Sequence, residues 1–120
     1  REVKARAYFE SIVETVREPL LVLDAELRVL SANKAFYRMF NTTERESIGK
    51  MIYELGAGQW NIQKLRNLLE SILPKDTKFD NYEMSIDVPD DGPRTVVLNA
   101  RRMEMSDGDL ILLAVGYKSS

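Results

Sequence analysis

Apolar and polar positions along this chain change period several times, and each change marks an element. From Val3 to Val16 the apolar residues Phe9, Ile12, Val13 and Val16 recur at helical spacing, with Ala5 one turn earlier. Glu2, Arg6, Glu10, Glu14 and Arg17 take the opposite face. This predicts an amphipathic N-terminal helix over residues 1–18, ended by Pro19. Its stripe has two uses, packing on its own sheet and pairing with a second copy of itself, and one helix can do both. Leu20 to Leu23 is an apolar run that suits a strand covered on both faces. Asp24-Ala25-Glu26 is a turn, and Leu27 to Leu30 resumes an apolar/polar alternation. Asn33 is a good N-cap for a short helix in which Ala35, Phe36, Met39 and Phe40 share a face.

Thr43 and Glu46 fit a capping box for one helical turn, with Gly49 where a left-handed C-terminal residue belongs. Met51 to Leu55 reads as another short helical turn. Gly56-Ala57-Gly58 lacks the following Lys-Ser/Thr of a phosphate loop and follows no clear strand, so it is a plain joint. Asn61 to Leu73 is the clearest helix, with Ile62, Leu65, Leu68, Leu69 and Ile72 on one face, Asn61 as its cap and Pro74 as its stop. Trp60 stands just before the cap, either as a hydrophobic staple on the first turns or lining a cavity. Tyr82, Met84, Ile86 and Val88 alternate with polar residues, a half-buried strand over Asp80 to Val88. Arg94 to Met105 is a second strand, with Val96, Leu98 and Ala100 on one face and Val97, Asn99, Arg101 and Met103 on the other. After the turn Ser106 to Asp109, Leu110 to Val115 is wholly apolar and belongs at the centre of a sheet.

The two fully apolar strands are the first and the last. Making them neighbours gives an α+β domain: a five-stranded antiparallel sheet whose middle they occupy, with the mid-chain helices on one face. The other face takes the N-terminal helix or a partner chain.

Composition narrows the function. The chain has 120 residues, 44% of them hydrophobic and 30% charged, enough for one core in one domain. A formal net charge of −2 disfavours a nucleic-acid surface, and no apolar run approaches the roughly 20 residues of a membrane span. With no cysteine and no histidine, disulfides, thiolate catalysis, and the commonest metal ligand and acid/base group are missing. No signal peptide is visible, and the chain starts on Arg1 within a helical pattern, so it reads as a piece of a longer cytoplasmic protein whose other parts could be membrane-attached.

This order and these residues resemble a PAS domain, the sensory module of bacterial and archaeal signalling proteins. The resemblance rests on LLVLD at 20–24, RVLSANKAF at 28–36, the Ile48-Gly49 pair and GDLILLAV at 108–115. LGAGQWNIQKLRNLLESILP at 55–74 and VVLNARRM at 96–103 look like a subtype found beside sensor histidine kinases and chemotaxis methyltransferase fusions. It implies an N-terminal helix over 1–18 and a PAS-like domain over 19–117, without catalytic or metal-binding residues. It further implies a cavity between sheet and helices, and a homodimer through the N-terminal helix and sheet face. The signal then passes to an output domain of the same chain, such as a histidine kinase. The Asp-Ile-Thr-like motif that often closes such domains is replaced by Gly116-Tyr117-Lys118-Ser119-Ser120, so no signalling residue is carried over there.

Family cofactors meet these residues one at a time. A covalent flavin adduct needs cysteine and the usual haem ligand is histidine, and neither residue is present. Methionine ligation through Met39, Met51 or Met84 competes with ordinary core packing. Non-covalent flavin would use Trp60, Asn99 and Tyr82, and a small organic ligand is a further expectation. The cavity implied by the resemblance would draw on Phe36, Met39 and Phe40 from the first helix, and on Tyr53 and Trp60 from the loop region. Leu65 and Leu69 would come from the longer helix, and Tyr82, Leu98 and Asn99 from the strands, although Leu98 and Asn99 point to opposite faces. The dimer stripe is Phe9, Ile12, Val13 and Val16. Two other classes compete: a protein-interaction scaffold independent of small molecules, and a small enzyme on a similar sheet using a buried carboxylate, for which Asp87 and Glu83 are poorly placed.

Overall fold

The computed structural model describes residues 15–118. The N-terminal helix expected from the sequence lies outside these residues, save for its last positions. The described chain forms a five-stranded antiparallel sheet in the order β2-β1-β5-β4-β3, with short helices packed on one face. The strands are β1 (Leu20–Asp24), β2 (Val29–Ala32), β3 (Lys78–Val88), β4 (Gly92–Met103) and β5 (Leu110–Tyr117). The two apolar strands are neighbours, Leu20 opposite Ala114 and Asp24 opposite Leu110, as their burial on both faces requires.

The alternation of side chains decides which residues meet the helices. Leu21 and Leu23 of β1, Leu98 of β4, and Leu113 and Val115 of β5 are buried in the main core with Phe36, Trp60, Leu65 and Leu68. Leu20, Val22 and Leu110 form a second cluster on the outer face, bordered by the partly buried Met103, Met105 and Leu112. Burying a side chain of this size contributes about 1.5–3 kcal/mol, so the two faces of β1 and β5 hold the sheet together.

Between β1 and β2 the chain turns on Asp24, whose Oδ1 accepts from the backbone N–H of Glu26 (2.9 Å) and Arg28 (3.0 Å). Leu27 does not open the second strand as expected; it closes the turn at φ 67° and packs against the core. The free edge of β2 is covered: the Val29 N–H donates to Lys50 O (2.9 Å) and the Gly49 N–H to Val29 O (2.8 Å). Helix α1 (Lys34–Met39) is capped by Asn33, and α2 (Glu44–Ser47) by Thr43, whose hydroxyl accepts from the Glu46 N–H (3.2 Å). A 3₁₀ turn follows at Ile52–Glu54.

The long helix differs from its sequence expectation. Its α part, α3, covers only Gln63–Asn67, and Leu68–Ile72 is a π-turn closed by Leu73 N–H to Leu68 O (3.0 Å). Asn61 is not its cap; the Asn61 Oδ1 accepts from Arg66 Nε (2.8 Å), and Ile62 takes the capping position without a side-chain bond. Trp60 precedes this helix in the chain. It is 1% exposed and packs on the aromatic rings of α1. On β3, a bulge between Phe79 and Tyr82 puts Asn81 at φ 57°, and the strand begins earlier than the alternation alone suggested.

Candidate functional site

Helix α1 projects Phe36 and Phe40 toward Trp60. Phe36 lies 5.0 Å from Phe40 between ring centroids, and Trp60 lies 4.8 Å from Phe40 and 6.0 Å from Phe36, all three buried. Thr42, Ser47 and Gln59 help close a void of about 20 Å³ beside them, the size of one water. A flavin ring does not fit there. Met39 is partly buried at the margin of the same core.

The other expected cavity residues converge on the same layer with one exception. Leu65 and Leu98 are fully buried. Tyr82 donates to Lys64 O (2.6 Å), tying β3 to α3. Tyr53 donates to Glu70 Oε2 (2.6 Å), and the Arg66 guanidinium stacks 4.1 Å over its ring. Burial first, and the bond to Glu70 second, push the Tyr53 phenol well above its ordinary range. Asn99 is the exception: it stands on the outer face, where its Oδ1 accepts from the Asn81 N–H at the β3 bulge (3.0 Å). A polar side chain on an apolar strand has found a backbone donor, so Asn99 does not face the layer that holds Phe36 and Trp60.

Open space on the helical side lies at the opposite end, in a cleft of about 430 Å³ between the β1–β2 turn, the π-turn and the β4–β5 hairpin. Of the expected residues only Leu69 lines it; Glu70, Leu73, Arg102, Asp109 and Ile111 complete its charged and apolar walls. Arg102 could have been found by following the β4 alternation two residues past Ala100, which turns it inward. Its Nε donates to Leu73 O (3.0 Å) and its Nη1 to Asp109 Oδ2 (3.1 Å), so one guanidinium joins the end of the π-turn to the start of β5. Asp87 and Glu83 are exposed, and Glu83 pairs with Lys118 (3.1 Å), which leaves neither as a buried carboxylate. Among the described residues no cluster of acidic side chains could hold a metal, and no helix is long and apolar enough to cross a membrane.

At the start of the domain Asn33 does more than cap α1. Its Oδ1 accepts from the N–H of Phe36 and of Leu20 (both 3.0 Å), and its Nδ2 donates to Val16 O (2.8 Å) and Glu18 O (2.7 Å). Of the expected dimer stripe, Phe9, Ile12 and Val13 lie outside the described residues, and Val16 is 36% exposed.

Known proteins place this geometry. The PAS domain of BvgS from Bordetella pertussis superposes with a TM-score of 0.76 at 20% identity, covering 98% of this chain and 88% of that one. A PAS domain from a two-component sensor histidine kinase gives 0.71 at 10% identity, covering 98% and 100%. The LOV protein of Rhodobacter sphaeroides gives 0.79 at 20% identity, covering 98% and 68%. At these identities the likeness shows the fold alone. No curated protein matches significantly. The sequence model of the PAS fold matches residues 7–116, nearly the whole chain, and the chain belongs to the PAS family.

Proposed function

We propose that this PAS domain is the sensory and dimerisation module of a multidomain signalling protein, a sensor histidine kinase, and that it relays a ligand or conformational signal to an output domain of the same chain. The observation that carries the reading is the corner where the chain enters and leaves the sheet. Val115 N–H on β5 donates to Pro19 O (2.9 Å), just before β1, while Asn33 holds the preceding Val16 and Glu18 carbonyls against α1. A shift of the helical layer is thereby connected to the segment before β1, and through the β1–β5 ladder to the segment after β5. The kinase setting is taken by analogy with the similar PAS domain of a two-component sensor histidine kinase.

The N-terminal stripe Phe9, Ile12, Val13 and Val16, with the apolar outer face around Val22 and Leu110, is the dimer contact in this reading. Native mass spectrometry and the visible spectrum of the purified chain test it together. A dimer mass that becomes monomeric in Phe9→Glu and Ile12→Glu is expected. Dimers unchanged in both variants would remove the N-terminal helix from the interface, and visible absorption would identify a coloured cofactor in place of the small organic ligand.

A further inference from the structure

Three departures from local sequence rules meet at the cleft described above. Leu27 holds a left-handed backbone at φ 67°, a conformation that a branched residue rarely adopts. The opposite wall is the π-turn Leu68–Ile72, a helix irregularity that recurs at functional sites. The floor carries Arg102, a charged side chain only 18% exposed, at an inward position of a strand otherwise filled by Val96, Leu98 and Ala100. Departures of this kind persist where function needs them.

The charges around the cleft say what it takes. Arg102 uses Nε and Nη1 on Leu73 O, Asp109 and Glu104 (3.5 Å), which leaves its guanidinium at the floor of the cleft. Glu70, half-exposed at the cleft, uses Oε2 on Tyr53 and Arg66 (3.4 Å). A plain anion would meet the carboxylates of Glu70 and Asp109, and a plain cation would meet the guanidinium. A dipolar ligand satisfies both signs, and its apolar part has Leu27, Leu69, Leu73 and Ile111 to cover.

We propose that this cleft binds a small zwitterion, an α-amino acid with an apolar side chain, with its carboxylate on Arg102 and its ammonium on Glu70. Binding there would draw Arg102 and the π-turn together across the cleft, which gives the sensory reading, on which this assignment rests, a ligand of defined chemistry.

Calorimetric titration of the whole chain with L-leucine, isoamylamine and isocaproate tests the assignment. L-leucine is expected to bind, and the amine and the acid, each lacking one charged group, to bind about tenfold more weakly or not at all, the loss of one charged hydrogen bond. Glu70→Gln keeps an acceptor for Tyr53 and is expected to weaken leucine about tenfold while leaving isocaproate unchanged. Arg102→Lys is expected to weaken leucine and isocaproate together. Should that variant fail to fold, Glu70→Gln alone decides. Binding of none of the three, equal binding of leucine and isoamylamine, or leucine binding indifferent to Glu70→Gln would each overturn the assignment. The oligomeric mass is independent of these titrations: monomeric Phe9→Glu that still binds leucine keeps this site and the interface, while a dimer that binds no leucine retains the module and loses the ligand.

Discussion

Tyr53 and Tyr37 each carry a phenol into the helical layer, but only Tyr53 finds an acceptor. Its hydroxyl donates to Glu70, whereas the buried Tyr37 hydroxyl has no partner among the described residues. An unpaired buried hydroxyl costs about 1–3 kcal/mol, and a paired one contributes about 1 kcal/mol. Urea unfolding at pH 7 is therefore expected to show Tyr37→Phe unchanged or up to about 1 kcal/mol more stable, and Tyr53→Phe about 1 kcal/mol less stable. Burial, with the Glu44 carboxylate adding to it, raises Tyr37 from 10.0 to about 12, and Tyr53 is raised as well. Both phenols thus bind their protons more tightly folded than unfolded. The stability this gives is whole below the unfolded value near pH 10 and falls as pH rises from there, through about 12 for Tyr37. Stability measured at pH 9 and pH 11 should fall less in either Phe variant than in the parent; equal slopes would mean the phenols ionise alike in both states. At this scale the sequence was partly legible. Asn33 was readable as a cap because capping needs only three residues of local chain, but its bonds to Val16, Glu18 and Leu20 join segments that only the folded corner brings together. Asn99 was readable as a polar residue needing a partner; which face it took depended on the strand's phase, and its actual donor, Asn81, exists only because β3 bulges.

The helix over 61–73 shows what periodicity misses. A regular helix places Ile72 in line with Leu65, Leu68 and Leu69, and this was the sequence reading. The π-turn inserts one extra residue into the repeat, so Leu68 and Leu73, five apart, fall in line instead. Leu73 is fully buried and Ile72 only partly, with Leu73 O held by Arg102. Leu73→Ala should therefore cost about 3 kcal/mol in urea unfolding and Ile72→Ala about 1 kcal/mol. The reverse order would restore a continuous α-helix. Strands were the more legible elements, because an alternation of two has no neighbouring register to drift into, and each of β3, β4 and β5 lies within a few residues of its expected span. The short helices were legible through their caps. Leu27 was not, because nothing in its residue type announces a left-handed turn position; glycine or asparagine would have.

Across the whole molecule, the order of the strands sets which parts open together. β1 and β5 sit inside the sheet with apolar residues on both faces, and the β4–β5 ladder extends from Met103↔Leu110 to Val96↔Tyr117. The wall of the cleft is held differently, by the buried Leu68, Leu69 and Leu73 of a single irregular turn, the Arg102 contacts and the bond from Tyr53 to Glu70. Segments outside the central ladder can open locally below the global free energy, while central strands exchange only when the domain unfolds. Native-state hydrogen exchange should therefore rank the amides of Leu21 to Leu23 and Leu112 to Val115 as the slowest, with protection that follows global stability in low urea. The amides of the π-turn should exchange faster by local opening that urea barely changes. This division is what a relay requires: a ladder rigid enough to carry a displacement between the segments before β1 and after β5, and a wall loose enough for a small ligand to reset. π-turn amides as protected as the β1–β5 ladder would make the cleft part of the rigid core, and a ligand there could then act only by tightening a structure already closed.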